Sequence, residues 1–507
     1  MRDGGIHLRK TKTASGATAI QAVRYVKRKV IVLHHFGSAH TPHEREVLLR
    51  DAESWLAEQS RQPSLLSAGD PGVSSSVVNL DQLTFGAVHH LFARDILCRA
   101  LDMLGFLPLL DDVTADLVVM RLLEPSSKRR AIDRLRQLCG IVHGEQTVYR
   151  TLRSLAAKKE DTERLLVAHA TQGGATTLSL VLYDVTTLYF ESFREDDAET
   201  GLRKTGFSKD NKPQQPQIVI GLLVTPHGFP LGHEVFKGNT FEGHTMLPVL
   251  EAFQKRHGIE CCTVVADAGM LSLENIATLR RQKFSYIVGA RTANLPSKRI
   301  AEISASLRHT DKATMRLQTQ HGDLICSFSD ERYRKDKRDM EKQIARAKKL
   351  IASAEPDRRA KFVQKEGGTF ILHDALIAKT QLLLGIKGYV TNIPPNVMDD
   401  QTVIDHYRNL WHVEQAFRMA KSDLQVRPIF HRREEAIRAH VLLCFIALAV
   451  QKHLEQVSGL SLRCLRDVIM QVTDITLTDE ITGRTFRKRS IVPDEAKRIA
   501  ELLGLSY

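Results

Sequence analysis

No Cys-x-x-Cys pair occurs anywhere in the 507 residues, and the seven cysteines (Cys98, Cys139, Cys261, Cys262, Cys326, Cys444 and Cys464) are scattered and odd in number. A disulfide framework and a zinc ribbon are both disfavoured. The opening residues, Met-Arg-Asp-Gly-Gly-Ile-His-Leu-Arg-Lys, lack the apolar core of a signal peptide. The longest apolar run, Val441 to Val450, is too short to cross a bilayer. These absences predict a soluble, cytoplasmic protein. No internal repeat is present, and the one biased stretch is Arg61 to Asn79, rich in Ser, Pro and Gly, which reads as a linker. Acidic residues are in deficit, 59 against 72 basic ones, for a net charge of +13 and a pI near 9.4. Such a balance asks for a polyanionic partner, with nucleic acid the first expectation.

What is present is ordinary globular composition, 43% apolar and 26% charged, in a chain too long for a single core. Residues 18 to 36 read as two short strands around a basic turn. Thr41-Pro42-His43-Glu44 is a capping box that starts a helix running to about Gln59. Helical patterns dominate from about Gln82 to Ala170. Within them, Glu145 to Lys158 is a basic amphipathic helix. It reads either as a DNA-recognition helix presenting Arg150 and Arg153 or as a solvated face.

After Gly173-Gly174 the pattern alternates. Apolar strands end at Asp184 and span Thr186 to Phe190, and Gln217 to Thr225 and Pro230 to Phe236 flank the turn Pro226-His-Gly-Phe. Helix, strand (ending at Asp267), helix and strand follow. That order predicts an α/β fold, a mixed sheet flanked by helices. Ala290 to Thr380 interrupts it with a charged helix from Asp330 to Lys349, and Gln381 to Val390 resumes the strand pattern. From Phe430 onward the chain again reads as helical. The expected divisions are 1–60, a small α+β region; 61–80, linker; 81–172, a helical DNA-binding domain; 173–290 and 381–430, the two parts of a core; 291–380, an insertion domain; and 431–507, a helical C-terminal region.

One helix, expected over Asp400 to Leu424, carries charges on its apolar stripe. Val403, Tyr407, Leu410, Phe417 and Leu424 recur at three- and four-residue steps, and Glu414 and Lys421 lie on the same stripe. At 100° per residue, seven steps return to within about 20°, which puts Tyr407, Glu414 and Lys421 nearly in line, each about 10 Å from the next. Too far apart to pair, each charge needs a partner from elsewhere. Asp184 and Asp267 close apolar strands, where ligand groups collect in open sheets. If those strands are neighbours, Glu414 has a destination beside them. An Asp at a strand end is also a common turn-former, and Glu414 could instead face an Arg from the C-terminal helices. Three carboxylates converging would repel one another without a cation, and two hard divalent ions resolve that. Such a pair activates a nucleophile and stabilises a leaving oxygen at a phosphodiester. Lys421 would then clamp phosphate, with Tyr407 adding a hydroxyl.

Here the chain resembles bacterial insertion-sequence transposases of the DDE type, with an RNase H-like catalytic domain. The similarity is greatest to the branch with a Tyr-x2-Arg-x3-Glu-x6-Lys signature. Tyr407, Glu414 and Lys421 match it, and Leu410 stands where the signature has Arg. The likeness extends to Leu-Tyr-Asp184-Val-Thr-Thr, to Gly228 through Thr240, to Ala-Asp267-Ala-Gly-Met, to the N-terminal Leu-Arg-Lys-Thr-Lys-Thr and to the stretch from Arg427. The resemblance implies that Asp184, Asp267 and Glu414 hold two Mg2+ or Mn2+ ions. It implies nicking of the element's terminal repeats in double-stranded DNA and attack of the freed 3′-hydroxyl on target DNA, with hairpin excision open to this branch. It also implies an insertion domain and a homodimer or higher oligomer assembled on DNA. Arg418, eleven residues from Tyr407, is the expected substitute for the missing Arg. An inactive transposase-derived DNA-binding protein and a nuclease without strand transfer are the alternatives.

Overall fold

The computed structural model describes residues 6–26, 29–59, 83–171, 178–258, 262–270, 272–307, 309–353, 360–366, 369–480 and 483–506. The expected linker falls outside them, as does the Gly173-Gly174 boundary. Strands β1 (Ile6–Lys12), β2 (Thr18–Val26) and β3 (Lys29–Ala39) precede helix α1 (Pro42–Gln59) and strand β4 (Leu83–His89). Helices α2 (Leu91–Met103), α3 (Asp112–Leu123), α4 (Lys128–Cys139), α5 (Glu145–Leu155) and α6 (Lys159–Thr171) come next. Then follow β5 (Leu180–Tyr189), β6 (Gln217–Val224), β7 (Pro230–Lys237), α7 (Met246–His257), β8 (Thr263–Ala266), α8 (Leu273–Arg281) and β9 (Ser285–Ala290). The chain continues through α9 (Ser297–Leu307), β10 (Thr314–Thr319), β11 (Gly322–Phe328), α10 (Asp330–Ile351), β12 (Val363–Glu366), β13 (Thr369–Leu372), α11 (Asp374–Leu382) and β14 (Ile386–Thr391). It closes with α12 (Asp400–Arg408), α13 (Trp411–Ser422), α14 (Glu434–Ser458), α15 (Leu462–Ile469), β15 (Asp474–Asp479), β16 (Thr485–Arg489) and α16 (Asp494–Leu502).

Two compact units result. The smaller combines residues 1–91 with 472–492. In it β1, β2 and β3 form an antiparallel sheet beside α1, whose capping box closes as expected: the Glu44 N–H donates to Thr41 Oγ1 at 3.2 Å and the Thr41 N–H to Glu44 Oε2 at 3.3 Å. The same unit holds a second sheet, ordered β16-β15-β4. This corrects two expectations. Residues 83–89 are strand rather than the start of a helical block, and the C-terminal region is not wholly helical, because 474–489 folds as a hairpin. Each segment is stabilised as strand by the other, Asp474 pairing with His89 and Asp479 with Leu83.

The larger unit contains an eight-stranded mixed sheet, ordered β10-β11-β14-β9-β8-β5-β6-β7. Strands β5, β6 and β7 run antiparallel, while β5, β8 and β9 run parallel. Three antiparallel strands followed by two parallel ones give the mixed α/β arrangement that the element order predicts and that the resemblance names RNase H-like. Helices α7 and α8 seal one face over a core that includes Tyr183, Phe253, Val264 and Tyr286. The expected insertion is smaller than 291–380. The buried run Leu324, Ile325, Cys326 and Phe328 makes β11 a strand of the main sheet between β10 and β14. Residues from α10 to Leu384 instead gather round a separate small core of Met340, Ala347, Phe362 and Leu384.

Helix α14 is long and apolar enough, by length and composition, to cross a membrane, but 94% of its apolar window is buried inside the fold. A helix apolar on all sides is what the centre of a large protein requires. It packs against α3, α5, α13 and β7 and so ties the helical region to the sheet. Leu443, fully buried on this helix, is expected to cost about 2–5 kcal/mol when cut to Ala. The effect should appear as a lowered urea midpoint, and an unchanged midpoint would show that α14 does not carry the core.

Candidate active site

Strand β5 runs unbroken through both apolar stretches, so Asp184 lies in mid-strand and not at a strand end as the sequence suggests. Thr186 to Tyr189 continue the ladder because β6 pairs with β5 along its whole length from Leu182. Asp184 is the one partly exposed side chain inside an otherwise buried run. Burial pushes its carboxyl up to about 6. The Lys209 ammonium and the Val185 N–H oppose that rise, and Glu242 and Asp267 add to it. Asp267 directly follows β8, is exposed, and opens a short helical turn, Ala268–Met270. The parallel register pairs Leu182 with Val265, and two residues further along each chain bring Asp184 level with Asp267. The expected neighbourhood of these two aspartates is therefore present.

Tyr407 reaches the same place from α12. Its hydroxyl donates to Asp267 Oδ1 at 2.8 Å, and its phenol pKa is raised by burial and by that carboxylate. The expected free hydroxyl for DNA is thus engaged with a carboxylate. Gly289 makes the approach possible, since a Cβ there would lie 2.5 Å from the Tyr407 hydroxyl. Lys387 on β14 stacks its ammonium 4.4 Å from the centre of the Tyr407 ring. Burial lowers the Lys387 pKa, Arg332 lowers it further, and both Asp267 and Glu414 pull it back up.

The single helix expected over 400–424 is two helices. At the junction the chain shortens its hydrogen bonds to three-residue steps, with Leu410 N–H donating to Tyr407 O, His412 to Asn409 O and Val413 to Leu410 O. This changes the helical phase, so the seven-residue alignment of Tyr407 with Glu414 does not hold across the break. Leu410 is buried at the junction. Glu414 stands in the first turn of α13, exposed, with no hydrogen bond or ion pair among the described residues. It shares the electrostatic surroundings of Lys387 with Asp267, yet no three His, Cys, Asp or Glu side chains among the described residues are gathered closely enough to hold a metal ion.

Lys421 also departs from expectation. Its Nζ lies 3.1 Å from Asp210 Oδ1, and Arg427 Nη1 lies 3.2 Å from the same oxygen, in a part-buried ion pair rather than an open phosphate clamp. Arg418 is exposed and makes no ion pair among the described residues, and Arg150 and Arg153 are exposed on α5 above its buried face of Val148, Leu152 and Leu155.

Five residues beside the site escaped the sequence reading: Lys209, Asp210, Glu242, Lys387 and Arg427. Lys209 pairs with Glu242 Oε1 at 2.9 Å and donates to Val185 O at 2.7 Å. The turn bearing Glu242 is fixed by Thr245, whose hydroxyl donates to Glu242 O at 2.6 Å and accepts from Tyr183 at 2.8 Å. The available signal was a charged pair, Lys209-Asp210, and an isolated Glu242, each in a connection flanking an apolar strand. Asp184, Asp267 and Glu414 offer only carboxylate oxygens, the donor type that a hard divalent cation takes.

Residues 176–450 match the family described as Transposase DDE domain. The match covers more than half of the chain, and the chain belongs to this family. Among solved structures it is similar to a piggyBac transposase synaptic complex with hairpin DNA, at 12% identity over 84% of this chain and 75% of that one, with a TM-score of 0.36. A Mos1 transposase paired-end complex matches at 13% identity over 47% of this chain and 66% of that one, with a TM-score of 0.16. Comparison with curated proteins gave no match.

The raised Asp184 carboxyl makes a signed prediction. Its folded value of about 6 exceeds the ordinary 3.8, so the native chain holds a proton that the unfolded chain loses as pH rises between those values. The stability penalty is absent below that window and complete above it. In urea melts with chelator, Asp184→Asn should gain on the order of 2 kcal/mol over the wild type at pH 7.5 and little at pH 4. Equal gains at both would contradict the assignment.

Proposed function

We propose that the chain is a metal-dependent transposase of an insertion sequence that recognises the element's terminal inverted repeats and catalyses phosphodiester hydrolysis followed by strand transfer. The observation that carries this reading is the placing of Asp184 on β5 level with Asp267 directly after the adjacent parallel strand β8, inside the segment matched by the transposase family. Asp184, Asp267 and Glu414 are the residues that would hold two Mg2+ or Mn2+ ions, which supply charge to activate water and to stabilise the departing 3′-oxygen. Tyr407 orients Asp267 through its hydroxyl, and Gly289 leaves room for it. Arg150 and Arg153 on α5 and Arg418 on α13 contact DNA phosphates, and DNA binding brings Glu414 toward the two aspartates. The chain acts in the cytoplasm as a homodimer or larger assembly on DNA, with residues 81–172 as the DNA-binding part.

A second reading, an inactive descendant that only binds DNA, is favoured by the lack of a metal-holding carboxylate group among the described residues and by the closed Lys421–Asp210 pair. One assay separates these readings, using a labelled duplex that carries the element's end. With magnesium, the transposase cuts and joins, a nuclease cuts without joining, and the binding protein only shifts the duplex. Asp184→Asn, Asp267→Asn and Glu414→Gln are each expected to abolish cutting while end binding persists. Cutting retained by any one variant would remove that residue from the site.

A further inference from the structure

The connection between β5 and β6, residues 190–216, returns to β5 before entering β6. The Lys209 N–H donates to Thr187 Oγ1 at 3.0 Å, and its side chain then runs back along the strand to Val185 O and Glu242 Oε1, ending beside Asp184. The next residue goes the other way. Asp210 is only 8% exposed at its side chain and is held by Lys421 and Arg427 together. Two adjacent residues of opposite charge are therefore sorted, the cation to the carboxylates and the anion to the cations.

We propose that Lys209 is a DNA-phosphate contact of the reaction centre, with Asp210 and Glu242 as the positioning residues that deliver it. This rests on the transposase reading above and adds to it a residue outside the three carboxylates and the helix of Tyr407. An ammonium has three N–H donors. Two are given to Val185 O and Glu242, and the third has no partner among the described residues, on a side chain left 30% exposed. A lysine already held at two points loses little conformational freedom when a phosphate oxygen takes its third donor. The anchor is held by charge: removing that of Asp210 would leave two part-buried cations crowded and unpaired.

The test follows DNA binding against salt, with calcium in place of magnesium, and strand cleavage with magnesium, both on the end duplex. Lys209→Gln is expected to reduce the slope of log affinity against log salt by about 0.9, the value for one phosphate contact, and to slow cleavage by about a hundredfold. Lys209→Arg should retain most of both. Asp210→Asn should move the two readouts in opposite directions: it frees Lys421 and Arg427, so the slope steepens, while cleavage falls because Lys209 is no longer delivered. A residue that only braced the fold would lower the melting temperature without this split. An unchanged slope in Lys209→Gln would overturn the proposal. So would faster cleavage by Asp210→Asn, since the connection would then be blocking the site rather than serving it. If the wild-type chain neither binds nor cuts the duplex, the transposase reading itself falls.

Discussion

A carboxylate in the middle of the central strand is the constraint on which the larger unit depends. Asp184 sits in a buried run with its backbone paired to Leu222 of β6, two residues past the last β5–β8 pair, so the strand fixes where the charge lies. A buried carboxylate has to be compensated locally or protonated. The surrounding residues supply part of the compensation: Lys209 from the next connection and the Val185 N–H from the strand itself. Against this, Glu242 and Asp267 bring further negative charge to the same place. The site is underneutralised on its own, a stable position only if a cation or a proton completes it.

The two helices after β14 divide the remaining work. Tyr407, on the first, is fixed by an aromatic contact with Tyr389, by the Lys387 ammonium over its ring and by its bond to Asp267. Glu414, on the second, is exposed and its side chain is unpaired among the described residues, beyond a break in the hydrogen-bond ladder. A hydroxyl bonded to Asp267 and an exposed carboxylate thus sit seven residues apart. The break at Leu410 separates their mechanical behaviour.

Local patterns were legible wherever the structure is decided locally. The capping box at Thr41, the hairpin around Pro226-His-Gly-Phe and the strand before Asp267 all formed as their residues dictate. What the sequence could not display were partnerships made at long range. Residues 83–89 become strand because they pair with 474–479, and Lys421 meets Asp210 across 211 positions. Asp184 reads as a strand end because a charge interrupts the apolar pattern, yet pairing with β6 carries the strand through it. The phase shift at 409–411 left no mark either, since the apolar spacing runs on evenly across a junction that only the backbone bonds reveal. The pair of aspartates was thus visible, while the residues that tune and brace them were not.

The sheet built from β4, β15 and β16 has a consequence in time. Its first strand leaves the ribosome with residue 83, but its partners are not made until residue 489. At about 5–20 residues per second, that interval is on the order of tens of seconds. The larger unit, whose strands lie between these limits, has its central sheet synthesised before the smaller unit can be completed. Translation order therefore makes the second sheet of the smaller unit a late event, and a chain truncated before its C-terminal hairpin would leave β4 as an unpaired edge.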